Sequence, residues 1–206
     1  MELHVAQALM WIERTNEKIQ ENKEYLSALD QAIGDGDHGI NMARGFQAVI
    51  EKTSSSEYET VSDVLKDVAM TLMAKVGGAS GPLYGTAFLK MSMSTKGKES
   101  VSQEDLAEAV RQALEGMKQR GKATEGEKTL IDVWTPVQEL LEQSEDLQPE
   151  EIKKTAKDAM EATKNIMATK GRAAYLKERS IGHLDAGSVS SYYLFESLAN
   201  VLEEGN

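Results

Sequence analysis

Three carboxylates fall within eight residues: Asp30, Asp35 and Asp37, the last two inside the stretch AIGDGDHGINM (residues 32–42). Crowded this closely in a partly desolvated turn, they repel one another by roughly several kcal/mol unless a cation sits among them. A hard divalent cation such as Mg²⁺ removes the conflict, because it takes carboxylate oxygens together with water and phosphate oxygens and disfavours an all-protein cage. The residues that follow, HGIN, open a predicted helix, where free N–H groups and the positive dipole end favour an anion. The chemistry indicated is a metal-bridged phosphate site, with aspartates facing the metal and the metal facing phosphate.

Three simpler readings of the same stretch compete with it. Gly34, Gly36 and Gly39 have the G-x-G-x-x-G spacing of a dinucleotide loop, but that motif needs a preceding strand. Here ENKEYLSALDQAI reads as helix, and carboxylates in the intervening positions would repel a bare pyrophosphate. A calcium loop counted from Asp35 would put Ile40 where glycine is required and Phe46 where the bidentate glutamate belongs. Asp-Gly pairs as plain turn formers would explain the glycines alone. They leave the clustering of three aspartates around a turn into a helix unexplained.

The elements that must hold this turn are helical. Leu65, Val68, Ala69, Leu72, Met73 and Val76 follow one buried helical face, as do Leu106, Ala109, Val110, Ala113, Leu114 and Met117. Ile152, Ala156, Ala159, Met160, Thr163, Ile166 and Met167 repeat the pattern. Thr60 with Asp63 and Ser102 with Asp105 have capping-box spacing, and Pro149 suits a first helical turn. No segment alternates with period two before a hairpin turn, so the expected fold class is all-α. Eight helices are predicted, over 3–29, 39–52, 61–76, 81–95, 103–118, 130–143, 149–168 and 188–202. Residues 53–59, 119–128 and 169–187 are expected as loops. The ten methionines read as core filler, and Trp134 reads as core.

Glycine clusters at 34–45, 77–85, 116–126 and 171–187, each at a predicted connection. If helices pair in chain order as antiparallel hairpins, alternate connections share one end, and all four clusters meet on one rim.

The bulk properties set limits. A chain of 206 residues with 40% hydrophobic and 28% charged residues fits one soluble domain over 1–206. A net charge of −11 argues against a nucleic-acid surface, and no apolar run suits a membrane span. The N-terminal MELHVAQALMWIERTNEK has neither a basic n-region nor a small-residue cleavage site. With cysteine absent as well, a cytoplasmic protein is expected.

Four segments, GDGDHGINMARGF, GGASGPLYGTAF, GEKTLIDVWTPV and GRAAYLKERSIGHLDAG, resemble in order and spacing the nucleotide-binding L subunits of dihydroxyacetone kinases. The resemblance runs from about Tyr25 to Ser191. It implies a barrel of eight antiparallel amphipathic helices with the nucleotide at one end. It assigns Asp30, Asp35 and Asp37 to two Mg²⁺ ions bridging to the nucleotide phosphates. His38, Gly39, Ile40 and Asn41 match phosphate-side contacts at a helix start; without the resemblance, His38 could equally be a polar residue exposed there. Ala79 and Ser80 match a second phosphate loop, the alternative being a glycine cap between helices. Gly121 and Leu130 match positions flanking the nucleoside, although Leu130 could equally open the core of its helix. Arg172 matches an arginine that reaches the nucleotide. Asp185, Ala186 and Gly187 match a segment near the ribose and base, where many relatives have Asp-Pro-Gly, so Ala186 departs from the pattern. Lys128, Asp132, Arg179 and His183 are left without a role, Lys128 and Asp132 being readable as a helix-start pair.

The resemblance further implies ADP as a tightly held cofactor, converted to ATP in place by a multiphosphoryl carrier (M) subunit of the phosphoenolpyruvate phosphotransferase system. The phosphoryl group then passes to dihydroxyacetone on a separate K subunit. No side chain is expected as a general acid or base. A homodimer is the remaining candidate partnership; nucleic acid and membrane are not expected. Alternatives are the nucleotide module of an ATP-exchanging dihydroxyacetone, triose or fatty-acid kinase, and a non-catalytic scaffold plugged by nucleotide. A plain helical interaction module would leave the aspartates unexplained.

Overall fold

A computed structural model describes residues 2–205, and among them nine α-helices form. They are α1 (Val5–Glu21), α2 (Lys23–Ile33), α3 (His38–Ser54), α4 (Val61–Lys75), α5 (Ser80–Ser94), α6 (Gln103–Gly121), α7 (Ile131–Gln143), α8 (Pro149–Ala162) and α9 (Ala186–Glu204). The predicted starts hold where a cap was legible. Thr60 accepts the Asp63 N–H at the head of α4, and Ser102 and Asp105 form a reciprocal capping box at the head of α6. Pro149 occupies the first turn of α8.

Three departures have identifiable causes. The expected helix 3–29 is two helices meeting at Asn22, whose side-chain amide donates to the Lys18 carbonyl at 2.8 Å and competes with the helical ladder. Ahead of α1, Glu2–Leu3 (β1) pairs antiparallel with Val101–Ser102 (β2), two residues a side and too short for a period-two signature. Finally, α8 stops at Ala162 instead of running to 168. There the Thr163 hydroxyl donates back to the Met160 carbonyl at 2.7 Å, and the chain tightens into a 3₁₀ turn over Thr163–Asn165. The long loop 169–187 itself contains a 3₁₀ winding, Arg172–Ser180, broken at Lys177.

The order of packing is cyclic: α1 meets α3, each of α3 to α9 meets the next, and α9 returns to α1, with α2 lying against α3 and α9. Inside, Trp134 packs edge-on against Phe195 with ring centroids 4.8 Å apart, and Trp11 meets Phe88 at 5.6 Å. Trp134 is thus core, as expected. The methionines divide: Met42, Met91, Met117 and Met160 are buried, whereas Met10, Met70, Met73, Met93 and Met167 are exposed. An exposed thioether costs little, so a helical apolar stripe containing methionine can run past the edge of the core. Among the described residues no helix is long and apolar enough to cross a membrane.

The contact of α2 with α3 sets the geometry of the aspartate turn between them. It depends on Gly39, where a Cβ would land on the Lys23 carbonyl oxygen and on Ser27 of α2. Gly39→Ala should therefore cost about 1–3 kcal/mol, the usual range for overpacking, read as a lower urea midpoint. An unchanged midpoint would show that the helices separate freely.

Candidate metal and phosphate site

The last turn of α2 carries Asp30, and the chain reverses through Gly34–Asp37 into α3. Asp37 occupies the N-cap position but its side chain makes no capping bond. Asp30 caps α3 instead: its Oδ2 accepts the N–H groups of Asp37 at 2.9 Å and His38 at 3.1 Å. A carboxylate is thus fixed at the positive end of the α3 dipole. Gly34 makes room for it, since a Cβ there would fall on the Asp30 carboxylate, and Gly36 turns the chain at φ +77°.

This turn brings Asp30, Asp35 and Asp37 together, with one carboxylate oxygen from each lying within 4.8 Å of the others. Arg172 reaches them from the other side of the cleft, its Nη2 2.9 Å from Asp35 Oδ2. Arg172 is largely exposed, so the pair is weakly held. One arginine against three carboxylates leaves negative charge uncompensated, and the all-oxygen donor set suits a hard divalent cation. The residues therefore fit the metal that their spacing suggested.

The cluster forms one side of a cavity of about 450 Å³ to which four connections contribute. Asp30, Asp35, Asp37, His38 and Asn41 line it from the first, Ala79 and Ser80 from the second, and Arg172, Asp185 and Ala186 from the last. Lys128 and Thr129 represent the third. Five predicted residues do not line it. Gly39 is packed against α2, Gly121 closes α6, and Leu130 is buried in the core at the head of α7. Ile40 is 60% exposed and borders a neighbouring groove. Gly187 lies one residue beyond the lining, its carbonyl accepting from Tyr84 Oη. For Gly39 and Ile40 the backbone is the relevant group: their amides in the first turn of α3 have no intrahelical acceptor.

His38 is buried, contrary to a water-exposed role. Its Nδ1 lies 3.1 Å from Ser80 Oγ and its Nε2 2.9 Å from Ser190 Oγ. Ser190 continues to Tyr84 Oη at 2.8 Å, Tyr84 to Ser191 Oγ at 2.7 Å, and the Trp134 indole donates to Ser191 at 3.0 Å. One polar chain thus ties α3, α5, α7 and α9 beneath the cavity. Burial lowers the His38 pKa to about 4 against the opposing pull of Asp30 and Asp37, so the ring is neutral, one nitrogen donating and the other accepting.

Asp185 caps α9, accepting from Ser188 N at 2.7 Å and Ser188 Oγ at 3.0 Å; burial raises its pKa to about 6 despite these bonds. Lys128 and Asp132 are not a pair. Asp132 accepts the amides of Gly126 at 2.5 Å and Thr129 at 2.6 Å, tightening the approach to α7. The buried Lys128 ammonium instead donates to backbone carbonyls of distant segments. Among the lining residues that sequence reasoning gave no role, three carry polar side chains: Lys128, Thr129 and Lys170. The positively charged pair of them was legible only as two more lysines in a charged chain.

Comparison with known proteins follows the same outline. Residues 32–200 match the family described as the DAK2 domain. The chain belongs to the DAK2 domain family. This DAK2 chain is 51% identical over 191 residues to the ADP-binding subunit of PEP-dependent dihydroxyacetone kinase 1 of Listeria innocua, covering 93% of each. It is 48% identical over 200 residues to the ADP-binding subunit of the PTS-dependent dihydroxyacetone kinase of Lactococcus lactis, covering 97% of this chain and 99% of that one. Its fold matches the dihydroxyacetone kinase of C. freundii, whose structure was solved in complex with AMP-PNP and Mg²⁺, with a TM-score of 0.77 at 20% identity. All of the DAK2 chain aligns there, spanning 35% of that longer protein.

Two buried groups of the site, both strongly shifted, oppose each other in acid. His38, lowered from 6.5 to about 4, contributes stability that is full above pH 6.5 and is lost as pH falls through that window. Asp185, raised from 3.8 to about 6, contributes stability that is full below pH 3.8 and is lost as pH rises towards 6. Asn caps helices as well as Asp, so Asp185→Asn should remove its opposition to the His38 slope. Denaturant unfolding of the ligand-free protein between pH 4 and 6 should then rise more steeply with pH in the variant; parallel profiles would contradict the assignment.

Proposed function

We propose that this chain forms one nucleotide-binding domain over residues 1–206 and serves as the ADP-binding subunit of a dihydroxyacetone kinase in the cytoplasm. In this reading ADP stays bound and is phosphorylated in place by a phosphotransferase-system carrier subunit. The phosphoryl group then passes to dihydroxyacetone held on a K subunit. The observation that carries the proposal is the meeting of three carboxylates, the first turn of α3 and Arg172 on a single cavity. The family membership and the names of the Listeria and Lactococcus relatives support it.

Asp30, Asp35 and Asp37 would hold two Mg²⁺ ions. When bound, these would neutralise the carboxylates and draw phosphate oxygens, the electrostatic work that phosphoryl transfer chiefly demands. The amides of Gly39 and Ile40 present donors to phosphate at the start of α3. Ser80, at the first position of α5, holds the His38 ring, so the two helix starts are kept in register. Arg172 offers a guanidinium suited to bidentate phosphate contact. Asp185 and Ala186 form the wall towards the ribose and base, with Leu130 and Gly187 packed behind them. No side chain is assigned as a general acid or base.

Denaturing the purified protein should release ADP in about one-to-one ratio. Finding none, with free ATP supporting turnover in the presence of a K subunit, would replace the carrier-dependent reading with an ATP-exchanging kinase module. Asp35→Asn should weaken Mg²⁺-dependent ADP retention at least as much as the roughly 10–100-fold that loss of an outer-shell partner costs a metal site. Unchanged retention across a Mg²⁺ titration would refute the metal assignment.

A further inference from the structure

Lys128 is a buried cation, 1% exposed, on backbone at φ +62°, a conformation uncommon outside glycine. An ammonium has three donors, and here all three point to main-chain carbonyls: Thr163 at 2.6 Å, Ile166 at 3.1 Å and His183 at 2.5 Å. Removing a lysine from water without a counter-ion at its tip is costly, so the arrangement calls for a reason beyond ending a turn. The three carbonyls belong to the turn after α8 and to the approach to α9, and Lys128 itself lies just before α7. Lesser bonds run between the same segments. The Gly182 amide donates to the Lys164 carbonyl at 2.7 Å, the Asp185 amide to Thr163 Oγ1 at 3.3 Å, and Ser188 Oγ to the Thr129 carbonyl at 2.9 Å. The product of this convergence is one wall of the cavity, made of Lys128, Thr129, Asp185 and Ala186.

We propose that Lys128 is a positioning residue for the nucleotide: by tying three separate segments together, it sets the Asp185–Ala186 wall in its ligand-ready place before ligand arrives. The inference rests on the nucleotide reading above and adds to it the group that organises the nucleoside side of the site. An internal clamp on this wall supplies rigidity, lowering the ordering cost at binding.

The test compares Mg-ADP with Mg-pyrophosphate by calorimetry on the wild type and on Lys128→Met, each first stripped of bound nucleotide by chelation of Mg²⁺. A wall that serves the nucleoside predicts a loss of about tenfold or more in Mg-ADP affinity, from ordering that must now accompany binding. Mg-pyrophosphate, which needs only the aspartates and the α3 start, should keep its affinity within about twofold on the same argument. Equal loss of both ligands would reduce Lys128 to a general structural role and overturn the proposal, as would no loss of either. A wild type that binds neither ligand would overturn the nucleotide reading itself. If Lys128→Met does not fold, hydrogen exchange on the nucleotide-free wild type decides. The Asp185 and Ser188 amides should already be protected, and exchange at the rate of open loop amides would contradict a preset wall.

Discussion

Mutual repulsion among Asp30, Asp35 and Asp37 is the constraint on which the site depends. The turn between α2 and α3 brings their oxygens within 4.8 Å, and Arg172 alone answers them among the described residues. Part of the remaining charge is offset by backbone. Asp30 takes two amides at the start of α3, and α5, α7 and α9 also begin at connections that line the cavity. In a cyclic packing of successive helices, alternate N-termini share an end, so four positive dipole ends converge where the carboxylates gather. The same arrangement that tolerates the aspartates before a cation binds welcomes phosphate afterwards.

Beneath this rim, polar side chains are sequestered rather than solvated. The chain from Ser80 through His38, Ser190, Tyr84 and Ser191 to Trp134 crosses four helices with its members bonded at 2.7–3.1 Å. Such a network is stabilising only when every member is satisfied, which makes it a specification of helix register. The register of α3 against α5 and α9 decides where the α3 amides point, so the buried network and the open site form one design.

The sequence showed the helices through their apolar spacing and caps, as at Thr60 and Ser102, because both signals are local. It hid the break at Asn22, where helical periodicity continues on either side and only a side-chain bond to Lys18 interrupts it. It hid the end of α8 for a different reason. Ile166 and Met167 continue the apolar pattern, yet the carbonyls of Thr163 and Ile166 are claimed by Lys128, 35 and 38 residues away. The aspartates, Ser80, Arg172 and Asp185 line the cavity and were legible by type and motif. Ile40 contributes through its amide while its side chain faces outward, a distinction no residue letter carries. Lys128 left no spacing signature, since a lysine bonded to carbonyls reads the same as one in water.

A crystal structure of the protein grown with Mg²⁺ and ADP tests the central claim most directly. The account predicts metal about 2.1 Å from carboxylate oxygens of Asp30, Asp35 and Asp37, with the nucleotide phosphates against the first turn of α3. A nucleotide bound elsewhere, with the three aspartates metal-free and Asp35 still paired only with Arg172, would contradict it.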